Sequence, residues 1–321
     1  MDIERMRTAL LFLVVMAVAG PGAAWAQEGG QQEGANTGND PRDFTSKFMP
    51  YYRYNELKND MDTQDFTIFG MWALSSKFAL TYEVPIAREY DISATAACSP
   101  LPGMPCAGII PGGGNPGIPN AINAEGDGVE VGMGDSIVRI FAAPDWTFFG
   151  GAFIPGVQFT VPTATDDVLG SETFSGGPIF TFVWDVKKYP APGAFFAMMN
   201  IFETDIMKDA GRDDVFYYFG RYFLQLPINK KHKLYILTEF QPIYDFKTDK
   251  FSFWFGPEFG KAFAPSEGVF RNGGAIYFKP GIGIDSDEDS GERNWSFEIG
   301  MRYFFPAARE TYKMMQGQRG R

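Results

Sequence analysis

Residues 294–305 read "NWSFEIGMRYFF", and on an extended chain their side chains separate into two sets. Trp295, Phe297, Ile299, Met301, Tyr303 and Phe305 share one side; Ser296, Glu298, Gly300, Arg302 and Phe304 share the other. One face is wholly apolar, so the stretch reads as a half-buried strand. A soluble sandwich buries such a face as readily as a membrane barrel does, and the rest of the chain has to separate the two.

The alternation recurs. Phe78, Leu80, Tyr82, Val84 and Ile86 oppose Thr81 and Glu83; Phe180, Phe182, Trp184 and Val186 oppose Thr181 and Asp185; Ile276, Phe278, Ile282 and Ile284 oppose Tyr277 and Lys279. Twelve strands are predicted, at about 47–57, 65–74, 77–87, 128–142, 146–162, 174–186, 193–205, 214–227, 232–244, 249–262, 273–284 and 294–305. Gly134-Asp135 and Pro257 are expected to shift the phase as bulges do. Most segments reach the ~9–11 residues of a tilted membrane strand.

Arg5 and Arg7 precede the apolar run "ALLFLVVMAVAG" at 9–20, which is followed by Ala24-Trp25-Ala26. This is the pattern of a signal peptide spanning residues 1–26, and the run of 12 residues is shorter than the ~20 of a membrane helix. The working protein is therefore expected to be exported. Its net charge of −11 argues against a nucleic-acid partner. No later apolar stretch has the length of a spanning helix, so residence in a membrane requires strands. Residues 27–46, rich in Gly, Asn and Gln, read as a flexible periplasmic leader or a plug, 47–305 as the barrel and 306–321 as a polar tail.

Loop lengths sort by parity. With the chain starting in the periplasm, the longest connection, 88–127, falls outside, and "SSK", "APD", "KKYPAP" and "NKKHK" form short inner turns. Outer-membrane barrels keep their long loops outside; "APSEGVFRN" at 264–272 is the one longer inner turn. The long loop holds Cys98 and Cys106, for which a local disulfide is the favoured reading in an exported chain. Trp72, Trp146 and Trp184 fall near inner ends and Trp254 and Trp295 near outer ends, where aromatic girdles belong. In lipid every backbone N–H and C=O needs an internal partner, and strands supply one only in a closed sheet. The expected fold is all-β: a closed antiparallel transmembrane barrel of about twelve strands.

Glu298, Gly300, Tyr303 and Phe305 occupy the polar, glycine and aromatic positions of a pattern that resembles the terminal β-signal of bacterial outer-membrane barrels. The resemblance implies insertion by the barrel-assembly machinery; the chain departs from it by continuing past Phe305. "GDGVEVGMGDSIVRIFAAP" and "FTVPTATDDVLGSETFSGGPIFTFVWDV" resemble the phenol-degradation MetA-pathway proteins of the outer membrane. That resemblance implies movement of aromatic or hydrophobic compounds and carries over no catalytic residue.

Chemistry beyond transport has few footholds. The only histidine, His232, sits in a polar turn, where a solvated residue is the favoured reading over an acyl-transfer base. Glu239 and Glu298 suit acid/base work, but carboxylates also fill polar lumens as charge pairs. Asp285, Asp287 and Asp289 alternate as calcium ligands would, yet Ser290 and Ser296 stand where a calcium-binding loop needs Gly and a carboxylate. A hydrated loop meeting lipopolysaccharide is the alternative. Glu83, Asp185, Arg221, Gln225, Glu239, Gln241, Lys279, Glu298 and Arg302 are the lumen candidates. The expectation is a passive channel for small solutes, hydrophobic or aromatic ones among them, without enzymatic activity or cofactor. Lipid, lipopolysaccharide, the assembly machinery and a small solute are its expected partners. The alternative is a non-conducting barrel that works through its 88–127 loop.

Overall fold

The computed structural model describes residues 37–57, 62–91, 129–166, 169–171, 173–186, 193–208, 214–229, 233–247, 249–267, 270–284 and 293–305. Residues 1–36, with the expected signal peptide, the two cysteines with most of the 88–127 connection, His232, the three aspartates at 285–289 and residues 306–321 lie outside them.

Consecutive strands pair in antiparallel fashion: β1 (Lys47–Leu57), β2 (Asp62–Ala73), β3 (Phe78–Asp91), β4 (Val129–Gly132), β5 (Ser136–Ala142), β6 (Thr147–Phe148), β7 (Gly151–Val161), β8 (Thr173–Asp185), β9 (Phe195–Lys208), β10 (Phe216–Asn229), β11 (Leu234–Asp245), β12 (Lys250–Glu267), β13 (Phe270–Gly283) and β14 (Arg293–Phe304). β4 and β5 both pair with β3 and are two halves of one strand interrupted at 133–135, while β6 only extends the hairpin into β7. The wall therefore has 12 strands. Pairing of β1 with β14 and of β2 with β3 closes the ring and removes both sheet edges. Because Lys47 pairs with Phe304, both chain ends of the barrel lie at one rim, called here the terminal end.

The barrel has its polarity reversed relative to a soluble protein. Phe180, Phe240, Phe278, Ile282, Ile299 and Met301 are exposed on the outside, and Arg53, Glu83, Arg139, Glu239, Lys279, Glu298 and Arg302 are buried within. Buried charge together with an exposed apolar belt is the arrangement that a lipid exterior favours. Trp184 at the terminal end donates its indole N–H to the Phe149 carbonyl at 3.1 Å, and at the other end Trp295 stacks on Phe297 and lies 5.1 Å from Tyr54. These two groups form the girdles expected at the two interfaces.

Two expectations need correction. Trp254 is not a girdle residue: even-numbered positions of β12 point inward, and its indole is buried in the lumen. Pro257 shifts no register, since the β11 ladder runs evenly through Thr238↔Pro257. Its effect is on hydrogen bonds, because extrapolating the β12–β13 register sets it opposite Pro280, and neither residue has an N–H to donate; the pairing lapses between Phe255↔Ile282 and Phe259↔Phe278.

The expected phase shift at Gly134-Asp135 is present, as the inward positions pass from Gly132 to Ile137 across the 133–135 interruption, and two more lie elsewhere. Phe66 pairs with Ala87 but Thr67 with Pro85, which leaves Ile86 as an extra residue and turns Arg88 inward to meet Asp65 at 2.6 Å. Glu56 pairs with Trp295 but Leu57 with Arg293, so the same device at Asn294 turns Arg293 inward.

Candidate functional site

A cavity of about 180 Å³ occupies the lumen. Its lining is divided by sector. From β7 to β10 the inward side chains are mainly apolar, among them Ile154, Met199 and Phe223; on β11 to β14 and β1 they are mainly charged.

The charged sector is a set of paired groups. Arg53 donates to Glu298 at 2.7 and 3.0 Å, and the Tyr277 hydroxyl donates to the other Glu298 oxygen at 2.7 Å. Arg302 grips Glu258 with two bonds of 2.8 and 2.7 Å, a bidentate geometry that fixes both side chains. Glu239 accepts from Arg221 at 2.5 Å, from Gln241 at 2.8 Å and from the Lys279 ammonium. Across the lumen, Arg139 donates to Glu83 at 3.1 Å and the Tyr51 hydroxyl donates to the same carboxylate. Each of these carboxylates has a cation, which leaves Glu239 and Glu298 poorly suited to proton transfer.

Trp254 lies flat against the wall. Cβ atoms at Gly256 and Gly281 would fall 1.9 and 2.1 Å from its ring, so only glycine leaves room there. Its indole N–H donates to Ser296 at 3.3 Å, and Lys279 and Arg293 sit 4.9 and 4.7 Å from the ring centre. Gly281→Val should push the indole off the wall into the cavity, and a fall in the quenching of its fluorescence by aqueous iodide would show instead that the ring had moved out of reach.

Residues 37–44 lie across the terminal mouth. Gly38, Asn39, Asp40, Pro41 and Phe44 line the cavity from that side. The Thr37 hydroxyl donates to Gln225 at 2.8 Å, Asn39 donates to Glu258 at 3.4 Å, and the Lys47 ammonium donates to the Gly38 carbonyl. Phe44 packs into the apolar sector. Gly38 has φ 74 and faces the Phe304 ring, which a Cβ would approach to 2.8 Å. At the rim Arg42 bridges Asp40 at 2.7 Å and Asp185 at 2.8 Å. Burial disfavours that guanidinium's charge, but the two carboxylates outweigh it and hold its proton more firmly than usual. At the opposite end Asp135 accepts from the Ala164 and Ser171 backbone N–H groups and ties those two residues to the wall.

Seven of the nine lumen candidates line the cavity: Glu83, Arg221, Glu239, Gln241, Lys279, Glu298 and Arg302. Gln225 lies below it against Thr37, and Asp185 is at the exposed rim. Of the assembly-pattern residues, Glu298 and Gly300 face inward and Tyr303 and Phe305 pack edge to face on the outside. Sequence reading missed Arg53, Arg139, Glu258, Trp254 and Arg293. Arg139 and Glu258 alternate regularly and were open to detection; Arg293 was hidden by the bulge.

No protein-family model and no curated protein sequence matches the chain. Among solved structures it is similar to the COG4313 outer membrane channel from Pseudomonas putida F1, with a TM-score of 0.54, 10% identity and coverage of 87% of this chain and 100% of that one. It is also similar to the NanC porin, with a TM-score of 0.47, 10% identity and coverage of 81% and 100%. The chain has the fold of the bacterial outer-membrane channels, with an apolar belt that fits the outer membrane and a charged lumen inside it.

Proposed function

We propose that this chain is a passive outer-membrane channel for small solutes with apolar or aromatic bodies, and that residues 37–46 close its periplasmic mouth. The observation that carries the reading is a lumenal cavity bounded by an apolar sector, a charged sector and residues 38–44. A lumen serving only as structure would be expected to fill with side chains, as it does in narrower barrels. Glu298, Gly300, Tyr303 and Phe305 are read as the assembly signal, and lipopolysaccharide as the neighbour of the outer loops.

Planar-bilayer recording of the mature chain and of a variant lacking residues 27–46 tests this. The leader's contacts are a few hydrogen bonds and one buried ring, so the full chain should conduct weakly or intermittently and the truncated chain several-fold more. Silence from both proteins, together with no liposome swelling in small solutes, would remove the channel reading.

A further inference from the structure

Two cations that line the cavity, Lys47 and Arg293, have no carboxylate within ion-pair distance among the described residues, and the Lys47 ammonium is spent on the Gly38 carbonyl in the terminal mouth. Arg53 is matched by Glu298, while Arg221 and Lys279 share Glu239. Arg293, only 6% exposed, has no carboxylate within ion-pair distance among the described residues. One of its nitrogens donates to the Gln241 side-chain oxygen at 2.9 Å, and its guanidinium sits 4.7 Å from the centre of the Trp254 ring. A neutral amide and an aromatic face orient a guanidinium without neutralising it. Seven cations and five carboxylates line the cavity, in a chain whose net charge is −11.

The arrangement is built rather than incidental. The bulge at Asn294 turns Arg293 inward, and Trp254 holds it there, itself pinned by Ser296 and by the space over Gly256 and Gly281. Arg293 lines the cavity, and none of its nitrogens is both sealed from solvent and unbonded. Its open donors therefore face the lumen.

We propose that the lumen binds a small monocarboxylate with an apolar body, its carboxylate taken by the free edge of the Arg293 guanidinium and its body laid against the apolar lining residues Phe69, Met71, Phe141, Ile154 and Met199. A planar fork matches a carboxylate in two parallel bonds, and one guanidinium without a carboxylate of its own suits a monoanion. The inference deepens the channel reading and rests on it for the purpose of the site, though not for the binding itself.

Calorimetric titration of the detergent-solubilised mature protein with phenylacetate and with its neutral amide, phenylacetamide, tests it. Wild-type protein should bind the acid at neutral pH at least about tenfold more tightly than the amide, as expected for a charge-assisted hydrogen bond. Arg293→Met should abolish that preference while leaving the amide unchanged, and Arg293→Lys should retain part of it. Equal affinities for acid and amide, no detectable binding of the acid, or a preference that survives Arg293→Met would each overturn the proposal. The wild-type comparison decides even if the methionine variant fails to assemble. Tight binding of phenylacetate by a protein that never conducts would remove the channel and keep the site; conductance with equal affinities would do the reverse.

Discussion

Glu239→Ala is expected to destabilise the barrel by about 3–5 kcal/mol, the usual cost of leaving a buried partner charge uncompensated. Glu239 is 1% exposed and accepts from Arg221, Lys279 and Gln241 at once. Without it, two cations lose their shared counter-charge in a region where Arg293 already has none. The measurement is urea titration of the barrel in lipid vesicles, scored by the shift in gel mobility between folded and heated protein. Replacing Lys279 with Met in the same molecule should recover part of the loss, because one of the stranded cations goes with it. A change below about 1 kcal/mol would mean that lumenal water screens these groups as it screens surface pairs, and the dry, paired wall described above would be wrong.

Ile299→Arg is the second large effect, and it tests the outside of the barrel. Ile299 sits mid-strand on β14, 53% exposed, among the outward set that includes Trp295 and Met301. In water, an exposed Ile→Arg change is close to neutral. At the middle of a bilayer it should cost about 2–4 kcal/mol, whereas Asn294→Arg, at the strand end, should cost about 0–1 kcal/mol. Equal costs at the two positions, measured by the same titration, would contradict a lipid-facing belt.

The final strand shows how much of this was legible beforehand. Its alternation correctly assigned each residue from Trp295 to Phe305 to the outer or inner face, because a pleated strand sends neighbours to opposite sides whatever surrounds it. Twelve such segments, with loop lengths sorted by parity, were enough for the closed barrel, and seven lumen residues followed from the same alternation. Parity is a local property, and it survives as long as the backbone stays regular. It failed where the backbone did not: the bulges at Ile86 and Asn294 turned Arg88 and Arg293 inward, and nothing in their own residue types announces it.

Trp254 failed for a different reason. A tryptophan near a strand end reads as an interface anchor, and what reverses the reading is the pair of glycines that open a space on the wall, one of them on the neighbouring strand. Which cation meets which carboxylate is likewise a matter of register between strands far apart in the chain, as in Arg53 with Glu298. Composition and period thus settled the class of fold, the face of each regular residue and the solvent outside. The pairing of charges, the fit of residues 37–44 in the mouth and the guanidinium left without a carboxylate among the described residues came from cross-strand geometry, since Coulomb energy depends on separations in space that spacing along the chain does not specify.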